Sequence, residues 1–124
     1  MSFATAVMVD TFVPRGTHKQ VRAIIYDGDY PGENVAYDLT GHSIFLRLAE
    51  SWTNPKSLLE KTGTIFLDPT EGKVTFDFVP ADTAGLMARS YDLDIIVKEI
   101  SSGEEWQAFH GTLGITPTMP EEVV

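Results

Sequence analysis

The sequence predicts an all-β protein: a two-sheet antiparallel β-sandwich of about seven to eight strands, with one short helical turn near residues 80–86. Three observations carry this expectation. Clusters of turn-forming residues recur at short intervals through the 124 residues, leaving segments of strand length between them. Those segments alternate apolar and polar side chains with a period of two. No segment carries a 3.6-residue apolar stripe long enough for a packed helix. Short strands with one polar face suit a sandwich; a closed barrel is the competing architecture.

Pro14-Arg15-Gly16 ends a first apolar stretch. In His18–Tyr26, Val21, Ala23 and Ile25 alternate with Gln20, Arg22 and Ile24. The loop from Asp27 to Asn34 is dense in turn formers, and Asp38-Leu39-Thr40-Gly41 makes a second turn. Ser43–Glu50 alternates Ile44, Leu46 and Leu48 against Phe45, Arg47 and Ala49 before Trp52-Thr53-Asn54-Pro55 breaks it. Pro55–Lys61 has room for one or two helical turns, and Thr62–Leu67 is a short β-rich run.

Lys73–Val79 has the cleanest alternation, with Val74, Phe76 and Phe78 on one side. Pro80–Leu86 reads as a connection with a helical turn that Asp82 caps. Ser90–Ile100 places Tyr91, Leu93, Ile95 and Val97 on one face, and Ser101-Ser102-Gly103-Glu104 is a hairpin turn. Trp106–Ile115 is the last strand. The expected core is Val21, Ile25, Ile44, Leu46, Leu48, Phe76, Phe78, Leu93, Ile95, Val97, Leu113 and Ile115. The Tyr91 ring belongs in that core, with its hydroxyl bonded near the Ala84-Gly85-Leu86 corner. The expected organisation is an N-terminal arm at 1–13, the sandwich at 14–117 and a C-terminal tail at 118–124.

An apolar content of 43% and a charged content of 22% fit one globular domain. The chain has no cysteine, which excludes disulfides, thiolate zinc sites and a cysteine nucleophile. The formal net charge is −9. Residues 1–61 hold six Lys/Arg against seven Asp/Glu, and residues 62–124 hold three against eleven. No basic stripe is present to neutralise phosphates, so neither nucleic acid nor an anionic membrane is an expected partner. Such acidity serves solubility, and its sharper reading is a negative face that meets a basic partner. The N-terminus lacks the positive region of a signal peptide.

No catalytic constellation emerges, and the chain is read as a non-enzyme without a cofactor. His18, His42 and His110 have no metal-ligand spacing and read as surface or rim residues. Asp27, Asp29 and Asp38 form a weak calcium candidate. Pro31 occupies a ligand position of that loop pattern, and its flanks read as strands. Asp92 and Asp94 share a strand face with Lys98 and read as a solvated outer surface. Tyr30, Trp52, Trp106 and Phe109 are candidate contact aromatics, as glycan-stacking platforms, as protein anchors or as closures of the sandwich ends. Met119 and Val123 are the apolar candidates of the tail.

The chain also carries a run of landmarks: Arg15-Gly16-Thr17, Asp38-Leu39-Thr40-Gly41, Leu46-Arg47-Leu48, Gly63-Thr64-Ile65 and Gly72-Lys73-Val74-Thr75-Phe76. Pro80-Ala81-Asp82-Thr83-Ala84-Gly85-Leu86, Tyr91-Asp92-Leu93-Asp94-Ile95 and Phe109–Thr116 complete it. Over residues 13–117 this resembles the small immunoglobulin-like sandwich domains of tailed-bacteriophage virion proteins, such as the N-terminal domain of upper baseplate proteins. The chain departs from that example in having no long C-terminal helical or fibre region. The resemblance implies a virion protein made in the host cytoplasm, placed in capsid decoration or in a tail, neck or baseplate attachment. Its implied partners are other virion proteins in a homo-oligomer or symmetric array. The alternative is a carbohydrate-binding module that holds a surface glycan with exposed aromatics.

Overall fold

The computed structural model of the chain describes residues 4–28, 35–51 and 54–117. Nine strands form among them: β1 (Ala4–Met8), β2 (Phe12–Pro14), β3 (Lys19–Asp27), β4 (His42–Ser51), β5 (Asn54–Thr62), β6 (Thr64–Ile65), β7 (Lys73–Phe78), β8 (Arg89–Glu99) and β9 (Glu105–Thr116). One helical turn, α1 (Pro80–Thr83), links β7 to β8, and a 3-10 turn occupies Pro69–Glu71. The strands build two sheets, ordered β1-β3-β7-β6 and β2-β9-β8-β4-β5. Two separate sheets decide for the sandwich over the barrel. Their order is that of an immunoglobulin-type fold whose first strand is divided between the sheets.

Every residue of the expected core is buried, because each strand turns its apolar set toward the other sheet. Phe76 and Phe78 are fully enclosed, and each buried ring of this kind contributes about 1.5–3 kcal/mol. Leu39 reaches the same core from a loop. Tyr91 is buried too, and its hydroxyl donates to the Met87 carbonyl at 2.7 Å. This is a tyrosine corner, closed one residue beyond the expected Ala84–Leu86 segment.

Two expectations need correction, and the sandwich gains two details. The segment read as an N-terminal arm supplies β1 and β2 from Ala4 onward. Its small Ala4 and Ala6 side chains are buried where a strand edge approaches the opposite sheet. Pro55–Lys61 is part of β5 and not helical: Arg47 and Leu48 of β4 pair with Glu60 and Leu59. Leu58 is the extra residue of a bulge there, which hides the alternation from a sequence reading. The strand count rises to nine because that segment and both halves of the first strand join the sheets. Pairing is antiparallel except between β2 and β9, which run parallel through Phe12–Gly114, Val13–Ile115 and Pro14–Thr116.

The two ends of the sandwich are joined differently. At one end, the buried Thr83 hydroxyl accepts the Gly16 N–H at 2.8 Å, and the Arg15 guanidinium donates to the Ala84 carbonyl at 2.9 Å. Two landmarks far apart in sequence are thus the halves of one joint. Asp82 holds that joint to β5. Its carboxylate accepts the Val79 N–H at 2.8 Å and pairs with Lys61 at 2.9 Å. Burial pushes the Asp82 carboxyl up, but these two donors outweigh it and hold it below its ordinary range.

Candidate functional site

The other end gathers the β3–β4 loop, the β6–β7 loop and the β8–β9 hairpin. Two aspartate turns of the same form organise the first two. Asp38 Oδ1 accepts the Thr40 N–H at 3.0 Å and the Thr40 hydroxyl at 2.7 Å. Asp68 Oδ1 accepts the Thr70 N–H at 3.0 Å and the Thr70 hydroxyl at 2.6 Å. Such side-chain closures fix a turn without a sheet partner. The middle residues of the two turns then meet, the Leu39 N–H donating to the Pro69 carbonyl at 3.0 Å. The hairpin is tied in by Ile100 N–H to the Gly41 carbonyl at 3.0 Å. Gly72 locks the base: its φ is 68°, its carbonyl accepts the Ile25 N–H, and a Cβ there would strike the Ile25 carbonyl. The end is therefore one laced platform.

An aromatic group lies beneath it. Tyr37, His42 and Trp106 stack edge to face with ring centroids 5.4–6.2 Å apart. His42 Nδ1 donates to the Thr40 carbonyl at 2.9 Å, which leaves Nε2 facing the Tyr37 hydroxyl at 3.5 Å. Burial raises the Tyr37 pKa, and the charges of Asp27, Glu99 and Asp38 raise it further. Hydrogen bonds from Thr40 and Thr70 hold Asp38 and Asp68 below the usual carboxylate range, while the Asp38 charge pushes Asp68 slightly back up. The platform is thus a region of converging negative charge. Val35, Leu67 and Ile100 stand exposed on its three loops, Leu67 completely. Apolar tips with an acidic rim give a surface suited to protein contact.

The sequence candidates divide. Trp106 and Phe109 are partly buried against the core and are not exposed platforms. Trp106 closes the sandwich end, and the Phe109 ring lies over Gly111, where a Cβ would strike it. Tyr30, Trp52, Met119 and Val123 lie outside the described residues, as does Asp29. Asp27 and Asp38 share the loop end, but Asp38 is engaged by Thr40. Among the described residues no three His, Asp or Glu side chains are grouped to hold a metal ion.

On the outer face of the larger sheet, Asp94 meets His110 Nδ1 at 2.6 Å and Gln107 at 2.9 Å. Lys98 faces Glu105 at 4.0 Å and leaves Asp94 to those partners. His42 and His110 are half-buried members of these side-chain groups, whereas His18 is exposed. The platform itself escaped sequence reading, although the repeated Asp-x-Thr at 38–40 and 68–70 was its signal. Compared with models of known protein families and with curated proteins, the chain matches none.

Proposed function

We propose that the chain is a non-catalytic assembly module of a bacteriophage virion that acts through protein–protein contacts. The laced loop platform, with Val35, Leu67 and Ile100 exposed among carboxylates, is the observation that carries the assembly reading. A rigid surface loses little ordering entropy on docking. Its charge selects a partner with a basic surface and favours fast encounter at low salt. The virion setting rests on the resemblance across residues 13–117. The glycan reading drew on Tyr30, Trp52 and Trp106; Trp106 is turned to the core, and no described observation favours that reading.

Quantitative mass spectrometry of purified particles tests the proposal. A copy number near that of the major capsid protein assigns decoration; a few copies assign a neck, tail or baseplate position. Absence from particles refutes the virion setting. The double variant Leu67→Asp/Ile100→Asp is expected to fold with unchanged circular dichroism and to fall at least about tenfold in incorporation, the ratio given by ~1.4 kcal/mol of lost contact. Unchanged incorporation would remove the platform from the interface.

A further inference from the structure

Among the described residues the sandwich has four edge strands, and three are protected against pairing. β6 has two residues. β2 has three and ends in Pro14. β5 carries the backbone break of Pro55, the lysine at 61 and the bulge at Leu58. Short length, proline, lysine and bulges are the devices that keep an edge from adding a strand. β1 has none of them: Ala4-Thr5-Ala6-Val7-Met8 is uncharged, unbulged and free of proline.

The parity of its hydrogen bonds shows which groups β1 offers. It pairs with β3 in the register Thr5–Tyr26, Ala6–Ile25 and Val7–Ile24. Just beyond, the Val9 N–H donates to the Arg22 carbonyl at 2.9 Å. In an antiparallel ladder bonded pairs alternate, so Thr5, Val7 and Val9 face β3. On the far side of β3, the Ile25 N–H donates to Gly72, which confirms that Ile25 faces away from β1. The N–H and C=O groups of Ala4, Ala6 and Met8 therefore point out of the sheet. Among the described residues, β1 is paired only with β3.

We infer that β1 is a self-pairing edge, whose partner is a second copy of this chain joined antiparallel about a twofold axis through Ala6. Ala6 is both the centre of the strand and an outward-bonding position. Ala6 then exchanges both bonds with its counterpart, and Ala4 exchanges with Met8 on each side, giving about six hydrogen bonds. The interface is isologous and closes at two copies. The twofold also sets Thr5 beside Val7 on the outer face, with no like charges opposed.

Charge opposes a second copy least at this place. Two chains of net charge −9 repel, and β1 is a strip with no charged side chain. Beside the strip, Asp10 holds the Arg22 side chain at 2.9 Å and 3.1 Å and its backbone N–H at 2.9 Å, a pair without net charge, and Asp27 stands opposite Ala4 on β3. This pairing rests on the assembly reading above, to which it adds a partner.

Sedimentation velocity and amide hydrogen exchange over a concentration series test it. A dimer is expected, with the amides of Ala4, Ala6 and Met8 gaining protection as concentration rises. Those of Thr5 and Val7, already bonded to β3, stay protected throughout. Val7→Lys, on the partly exposed outer face, is expected to weaken the dimer at least about tenfold. Ala6→Pro removes an N–H that β3 does not use and is expected to do the same; Leu58→Lys on the β5 edge should change nothing. Should Ala6→Pro misfold, Val7→Lys and the exchange pattern still decide. A monomer at every concentration, with Ala4, Ala6 and Met8 exchanging freely, overturns the inference. So does a dimer indifferent to Val7→Lys. Particle composition, measured separately, decides the assembly reading whatever the outcome here.

Discussion

Removing the Tyr91 hydroxyl would leave the Met87 carbonyl without its donor while keeping the ring that fills the core. Tyr91→Phe is therefore expected to cost about 1–2 kcal/mol. The check is a lower urea midpoint with an unchanged denaturant slope. The residue scale is also where the sequence was most readable. Val74, Phe76 and Phe78 lie in an uninterrupted period-two run, and burial followed from alternation alone. Trp106 and Phe109 were less readable. Whether an aromatic closes the end of a sandwich or projects from it depends on neighbours distant in sequence, here Tyr37 and His42 for Trp106.

Among the elements, the passage from β5 to β6 turns on one residue. Thr62 pairs with Phe45 in the larger sheet, Gly63 donates its N–H to the Ile44 carbonyl, and Thr64 already pairs with Thr75 in the smaller sheet. A side chain at Gly63 would collide with Val74 and Phe76. Gly63→Val is expected to destabilise by about 1–3 kcal/mol or more through overpacking, read as a drop in melting temperature. Elements with unbroken alternation, such as β7 and β8, were legible to within a residue or two. β5 was not, because its Leu58 bulge and its proline erase the signal that periodicity supplies. The β1 and β2 pairings were hidden for other reasons: the alanines of β1 carry little hydrophobic contrast, and the three residues of β2 are too few to show a period.

For the molecule as a whole, the shifted carboxylates set the response to acid. Hydrogen-bond donors hold Asp10, Asp38, Asp68 and Asp82 below the ordinary value of 3.8. Groups with a depressed native pKa stabilise the fold above the unfolded value, and the contribution is lost as pH falls through the native one. Stability is expected to hold from neutrality to about pH 4 and to decline below it. Asp82→Asn should lower stability at neutral pH and flatten the acid decline, as measured by urea midpoints between about pH 6 and pH 3. Unequal slopes fail to appear only if the Lys61 and Val79 contacts contribute nothing. At this scale the sequence disclosed the acidity but not its placement. Two of the landmarks that carried the resemblance form one joint, Arg15-Gly16 closing on Thr83-Ala84, so they report the fold. The loop platform is made by Leu39 meeting Pro69 and Gly41 meeting Ile100, encounters that no local pattern encodes.

The parallel pairing of β2 with β9 bears on how the chain carries tension. Three paired positions, with Gly114 N–H to Thr11 and Arg15 N–H to Thr116 at their flanks, join an early strand to the last one. When the two ends of the chain are drawn in opposite directions, strands that run the same way slide past each other lengthwise. Their bonds then bear the load together and do not open in succession like a zipper. A pull along the chain therefore loads this pairing in shear, whereas a force that peels a strand from its side breaks the bonds one at a time.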